Sequence, residues 1–259
     1  MALTYSQYLK VDELLKLQDP KSKTEHDEML FIIIHQVYEL WFKQILHEMG
    51  SLDKNLREGE TYLSLFNLKR ILTILKTLVS QIDILETMTP LQFASFRGLL
   101  ETSSGFQSLQ FRKVEFLLGH KREKMLEHFK SNPEHYNDLK EAYLRSTVYD
   151  AFLKHLQIKK HAVPQSLLDR DVTTPIQENA EVQKILIDIY KNDPLLSQLC
   201  ERLVDLDEGL QEWRYRHVKM VERTIGVKMG TGGSPGAEYL RRTLFQPIFP
   251  DLWSIRSSF

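Results

Sequence analysis

Apolar residues recur at three- and four-residue intervals along most of the chain, and this rhythm predicts helices nearly throughout. Between Asp27 and Met49 the stripe runs Leu30, Phe31, Ile34, Val37, Tyr38, Trp41, Phe42, Ile45 and Leu46. A second stripe lies between Leu63 and Leu85, at Leu65, Leu68, Leu72, Leu75, Leu78, Ile82 and Leu85. The longest follows Asp193-Pro194, at Leu199, Leu203, Leu206, Leu210, Trp213, position 217 and Met220, and Gly226 closes it. Position 217 is a histidine.

Local signals punctuate these stripes. Thr89-Pro90-Leu91-Gln92 has the form of a capping box with proline at the first helical position, so a helix is expected to start there. Asn132-Pro133, Thr174-Pro175 and Asp193-Pro194 read as further starts. The loop Thr102-Ser103-Ser104-Gly105 leads into a helix that Gly119 can end. Period-two alternation and internal repeats do not stand out. The least regular stretches are 157–174 and 226–236, and the second holds five of the 11 glycines. The expected fold is all-α, one helical, bundle-like domain spanning 1–259.

Composition narrows the classes of function. At 259 residues, with 42% apolar and 27% charged, the chain can bury a sizeable core. Lys+Arg number 34 against 35 Asp+Glu, so the basic excess of a nucleic-acid binder is missing. The one basic run, His120-Lys121-Arg122-Glu123-Lys124, reads as a solvated face. No stretch approaches the ~20 apolar residues of a membrane helix. A single cysteine, Cys200, allows no internal disulfide, and no CxxCH motif for covalent haem attachment occurs. The N-terminus lacks a signal-peptide pattern. A cytoplasmic protein is expected.

Four features carry candidate chemistry. His217 occupies a seam position that calls for an apolar residue. It reads either as a core histidine satisfied by its neighbours or as an axial ligand to haem iron, since a neutral imidazole in an apolar helical cleft suits that role. His35, one turn after Phe31 on the apolar face, reads either as structural or as a polar group above a haem. Arg97 follows Phe93 and Phe96; its stem can cover the aromatic rings, or its guanidinium can capture a carboxylate. Gly230-Thr-Gly-Gly-Ser-Pro-Gly236 lacks the Lys-Ser/Thr of a phosphate loop, and reads as a lid over a small polar substrate or a plain connection. Zinc and serine-hydrolase chemistry find no HExxH and no GxSxG.

Four segments, in this order and spacing, resemble the tryptophan 2,3-dioxygenase family. They are His26 to Lys43, with Phe31, His35 and Trp41; Leu85-Glu-Thr-Met-Thr-Pro through Phe96-Arg97; Ser103-Ser-Gly-Phe-Gln-Ser-Leu-Gln-Phe-Arg112; and Trp213-Arg-Tyr-Arg-His217 leading to the glycine-rich stretch. The resemblance runs from Tyr5 almost to the C-terminus. It implies a homotetramer with haem b (iron protoporphyrin IX), ferrous for activity, enclosed in each subunit, acting on L-tryptophan and O2. By position, His217 is implied as the iron ligand and His35 as the catalytic histidine that hydrogen-bonds the indole N–H. Phe31 and Phe93 are implied as walls of the indole pocket, and Arg97 and Thr231 as contacts to the amino-acid end. Ser104 and Gly105 are implied beside haem and substrate. Tyr5, Tyr8 and Leu9 match an N-terminal arm (1–20) that completes a neighbour's site. Phe93 stands where some relatives have tyrosine, a difference of one hydroxyl.

The implied reaction places both oxygen atoms across the indole C2–C3 bond, giving N-formyl-L-kynurenine. Two alternatives stay open: a haem oxygenase of the same superfamily that inserts one oxygen into an aromatic substrate, and a helical scaffold whose histidines are structural.

Overall fold

The computed structural model describes residues 2–226, 228–230 and 237–259. Among them every regular element is helical, as the periodicity predicts. Two short helices, α1 (Tyr5–Leu9) and α2 (Val11–Leu14), precede the long α3 (Asp27–Arg57) and α4 (Thr61–Leu85). Then come α5 (Pro90–Arg97), α6 (Leu109–Leu117), α7 (Pro133–Leu144), α8 (Val148–Ile158) and the single turn α9 (Gln165–Leu168). Helix α10 (Ala180–Asn192) leads to α11 (Pro194–Ile225), followed by the short α12 (Ala237–Arg241) and α13 (Pro250–Ser254). Among the described residues no helix is long and apolar enough to cross a membrane.

The frame is made by α3, α4 and α11, which pack along one another, with α6 and α8 laid against α3. Their stripes meet in one core: Leu52, Leu56, Leu68, Leu78, Leu199 and Leu203 are all fully buried. Each such side chain contributes roughly 1.5–3 kcal/mol by leaving water. A smaller cluster of Phe116, Met125, Leu126, Phe129 and Leu139 fills the space where α6 meets α7. Two buried aspartates pin the C-terminal segment to this frame. Asp207 Oδ2 accepts from the Ile248 and Phe249 amides and from Trp253 Nε1, and Asp251 accepts from Tyr149 Oη and the Asn179 amide.

Most predicted boundaries hold. Thr89 and Gln92 form the capping box at α5, and Asn132 and Asp193 cap α7 and α11 ahead of their prolines. Gly119 and Gly226 take φ of +91° and +61° where their helices end. The start expected at Thr174-Pro175 is incorrect. Thr174 turns its hydroxyl back to the Asp171 carbonyl, closing a turn there, and the next helix begins five residues beyond Pro175. Its cap is Asn179, whose side chain accepts from the Glu181 and Val182 amides. The basic run is not a solvated face either. Lys121 is 8% exposed and its ammonium holds the Tyr143 and Arg145 carbonyls at the end of α7, while Arg122 is ion-paired to Glu115.

At the other end, α1 and α2 have no buried residue. Tyr5, Tyr8 and Leu9 are 76%, 72% and 46% exposed and touch no part of the cleft described below. The root of this segment is tied to α3 by Gln36, which bonds the Leu17 carbonyl and Gln18, and by Glu28, whose carboxylate accepts from the Lys21 and Ser22 amides.

A candidate active-site cleft between the long helices

One cleft opens among α3, α4, α5, α6 and α11, with about 1620 Å³ of empty space counting the part open to solvent. It gathers seven of the residues singled out from sequence: Phe31, His35, Phe93, Arg97, Ser104, Gly105 and His217. Gly230 also lines it, whereas Thr231 and the remainder of the segment through 236 lie outside the described residues. Tyr5, Tyr8 and Leu9 are not brought to this cleft within the same chain.

The floor on the α11 side is apolar. The His217 ring stacks on Trp213 one turn earlier, centroids 5.2 Å apart and planes 9° from parallel. Phe42 and Phe111 pack around the same indole at 6.0 and 4.8 Å. Burial, helped by the charges of His35 and Arg112, pushes the His217 pKa down to about 4, so its imidazole is neutral at pH 7. Among the described residues it makes no hydrogen bond. His155 is the contrast: fully buried, it donates from Nδ1 to the Leu56 carbonyl at 3.0 Å and accepts at Nε2 from Thr61 Oγ1 at 2.9 Å. A scaffold histidine uses both nitrogens on the scaffold. His217 keeps its lone pair for something in the cleft.

His35 presents the complementary case. Its ring is open to the cleft yet surrounded by protein, and that burial lowers its pKa. Nδ1 lies 2.6 Å from the Phe31 carbonyl, one turn earlier. A carbonyl only accepts, so Nδ1 must carry the proton, and in the neutral ring Nε2 is then an acceptor. Phe31, Phe93 and Phe96 form an aromatic wall beside it, with centroids 5.5–5.6 Å apart. Arg97 closes α5 at the end of that wall. One of its terminal nitrogens donates to the Met229 carbonyl, and its Nε is buried without a partner among the described residues.

The sequence reading passed over the polar end of the cleft. Arg112, Glu115 and Arg122 line it from α6 and the segment after, and Arg214 from α11. The 112/115 pair was visible as opposite charges three apart on a helix. Arg214 gave no such signal, because its partner Glu115 is 99 residues away. Among the described residues no group of three or more His, Cys, Asp or Glu gathers as a metal cluster. The single imidazole of His217, without a hydrogen bond among the described residues, and the apolar floor beside it fit a haem whose iron that side chain would hold.

The sequence model described as tryptophan 2,3-dioxygenase matches residues 1–160 and 133–259 of this chain. The tryptophan 2,3-dioxygenase of Herpetosiphon aurantiacus is 59% identical over 257 residues, covering 99% of this chain and 98% of that protein. That of Anaeromyxobacter sp. strain K is 52% identical, covering 99% and 96%. A relative of the same name from Bacillus thuringiensis is 40% identical, covering 98% and 92%.

Proposed function

This chain belongs to the tryptophan 2,3-dioxygenase family, and from that premise we propose that it is a haem-dependent dioxygenase converting L-tryptophan and O2 to N-formyl-L-kynurenine. The observation that carries the reading is a pair of neutral imidazoles in one cleft, His217 without a hydrogen bond among the described residues and His35 with Nε2 left as acceptor.

Haem b bound here would supply the redox-active iron at which O2 is activated. The chain's own residues bind and orient. His217 would hold the iron through its unprotonated nitrogen, and the stacked Trp213 fixes the tilt of its ring. His35 Nε2 accepts the indole N–H, with its tautomer set by the Phe31 carbonyl. Phe31 and Phe93 face the indole and exclude water. Arg97, with Nε unpartnered, takes the substrate carboxylate, and Thr231 contacts the same end of the amino acid. Ser104 and Gly105 line the same cleft and would stand beside haem and substrate. Indole itself, lacking the carboxylate, forgoes charge-assisted hydrogen bonds of roughly 1.5–3 kcal/mol each and should be a poor substrate.

In the same proposal residues 1–259 form one haem domain of a cytoplasmic homotetramer, and the first twenty residues are an arm that reaches a neighbour's cleft. The outward-facing Tyr5, Tyr8 and Leu9 support this, since apolar side chains in that state want a partner surface.

Purified protein should show a Soret band that shifts on adding L-tryptophan. Turnover under ¹⁸O₂ should give a product with two heavy oxygens. One heavy oxygen would replace the proposal with mono-oxygenation, and colourless protein after expression with ample haem would reduce the chain to a scaffold.

A further inference from the structure

The polar end of the cleft is built around one carboxylate shared by three guanidinium groups. Glu115 accepts from Arg112 at 2.5 Å, from Arg122 at 2.9 Å on both oxygens, and from Arg214 at 3.0 Å. Arg214 also donates to the Thr243 carbonyl at 3.0 Å, and the Arg112 guanidinium lies over the Phe111 ring. The side chains of Arg112, Glu115 and Arg214 are only 6%, 3% and 4% exposed.

Three positive charges on one negative charge leave a surplus of two. His120, the next titratable neighbour, does not alter this. Burial and the Arg214 charge push its pKa down to about 3, so it stays neutral. Glu39, the other acid lining the cleft, is drawn toward its neutral form by burial. Arg112 and Arg214 each have a buried Nε–H without a partner among the described residues. Surplus charge on a surface is solvated. Surplus charge in a buried wall is costly unless an anion completes it. All three arginines line the cleft, so that anion comes from the cleft's occupant.

We infer that Arg112, Arg122 and Arg214, organised on Glu115, form the seat for the two carboxylates carried by the porphyrin edge. Two propionates balance the surplus of two, and a pre-organised arginine fork matches carboxylate geometry. The seat comes from α6, the segment after it and α11, apart from Arg97 on α5, so porphyrin and substrate carboxylates are received by separate arginines. Glu115 keeps three like charges together before the cofactor arrives. This rests on the haem reading above.

The test uses the full chain stripped of haem. Iron protoporphyrin IX and its dimethyl ester, which lacks both negative charges, are titrated into wild type and Arg122→Gln. Soret absorbance and quenching of intrinsic tryptophan fluorescence are followed. Arg122 is the least buried of the three at 28% side-chain exposure, and circular dichroism checks that the variant stays helical. Wild type should bind the ester at least tenfold more weakly than the free acid. Arg122→Gln should lose roughly tenfold for the free acid and less than twofold for the ester. Equal binding of both porphyrins by wild type overturns the inference while leaving the haem reading intact. So does an equal loss for both in the variant, and the wild-type comparison needs no substitution at all. Failure of wild type to bind either porphyrin would instead remove the haem reading, and this inference with it.

Discussion

The depressed pKa of His217 makes the haem-free fold sensitive to acid in a calculable way. In an unfolded chain the imidazole takes a proton near pH 6.5. In the fold, burial foremost and then the charges of His35 and Arg112 delay protonation to about pH 4. Between those values the unfolded state binds a proton that the folded state refuses, so stability falls as pH drops through the window and is flat above it. One pH unit inside the window is worth about 1.36 kcal/mol, so going from pH 7 to pH 5 removes about 2 kcal/mol through this residue alone. Water in the open cleft screens part of that, leaving ~1–2 kcal/mol. Urea denaturation of the haem-free protein at pH 7 and pH 5 measures the loss, and His217→Gln isolates it, because glutamine does not titrate. His120 and His155, both with lowered pKa values, contribute equally to both proteins and cancel in the difference, while the His35 charge that bears on His217 is part of the coupling the difference measures. The variant should lose ~1–2 kcal/mol less than wild type between the two pH values. Equal losses would mean that His217 is as solvated in the fold as in the unfolded chain, and the argument for a reserved lone pair would fail with it.

Other substitutions probe separate parts of the reading. His217→Ala should retain little haem after purification, measured as Soret absorbance per chain, since alanine offers iron no ligand; full retention would remove His217 as ligand. Arg97→Ala should raise KM for L-tryptophan roughly 10- to 100-fold, the range expected for a lost charge-assisted hydrogen bond, and leave tryptamine, which has no carboxylate, nearly unaffected. An unchanged KM for L-tryptophan would take Arg97 out of the site. Asp207→Ala strands the amides of Ile248 and Phe249 and the Trp253 indole N–H, and should cost ~2–4 kcal/mol by urea denaturation. A loss below ~1 kcal/mol would show that the C-terminal segment is held by its apolar contacts instead.

What was legible in the sequence follows from what is local. Helix stripes and caps are short-range statements, and Thr89, Asn132 and Asp193 each did what a polar residue before proline does. Thr174 carried the same signature but ends a turn on Asp171, to whose carbonyl its hydroxyl donates, and no helix starts there. Asn179 then offered a better cap with no proline to advertise it. Lys121 and Arg122 look solvated within the basic run itself. Lys121 meets the Tyr143 and Arg145 carbonyls only because α6 and α7 pack together, and Arg122 meets Glu115, seven residues earlier, only because the chain folds back after α6.

The candidate site divides along the same line. Periodicity put His217 and His35 on apolar faces and could go no further, since a satisfied core histidine has the same spacing. The deciding facts are three-dimensional: His155 spends both nitrogens on Leu56 and Thr61, His35 spends one on Phe31, and His217 spends none among the described residues. A helix readily satisfies an imidazole from its own preceding carbonyl, as α3 does for His35. On α11 the His217 ring instead lies flat against the Trp213 indole, planes 9° apart, and takes no such carbonyl bond among the described residues, so its nitrogens remain for the cleft.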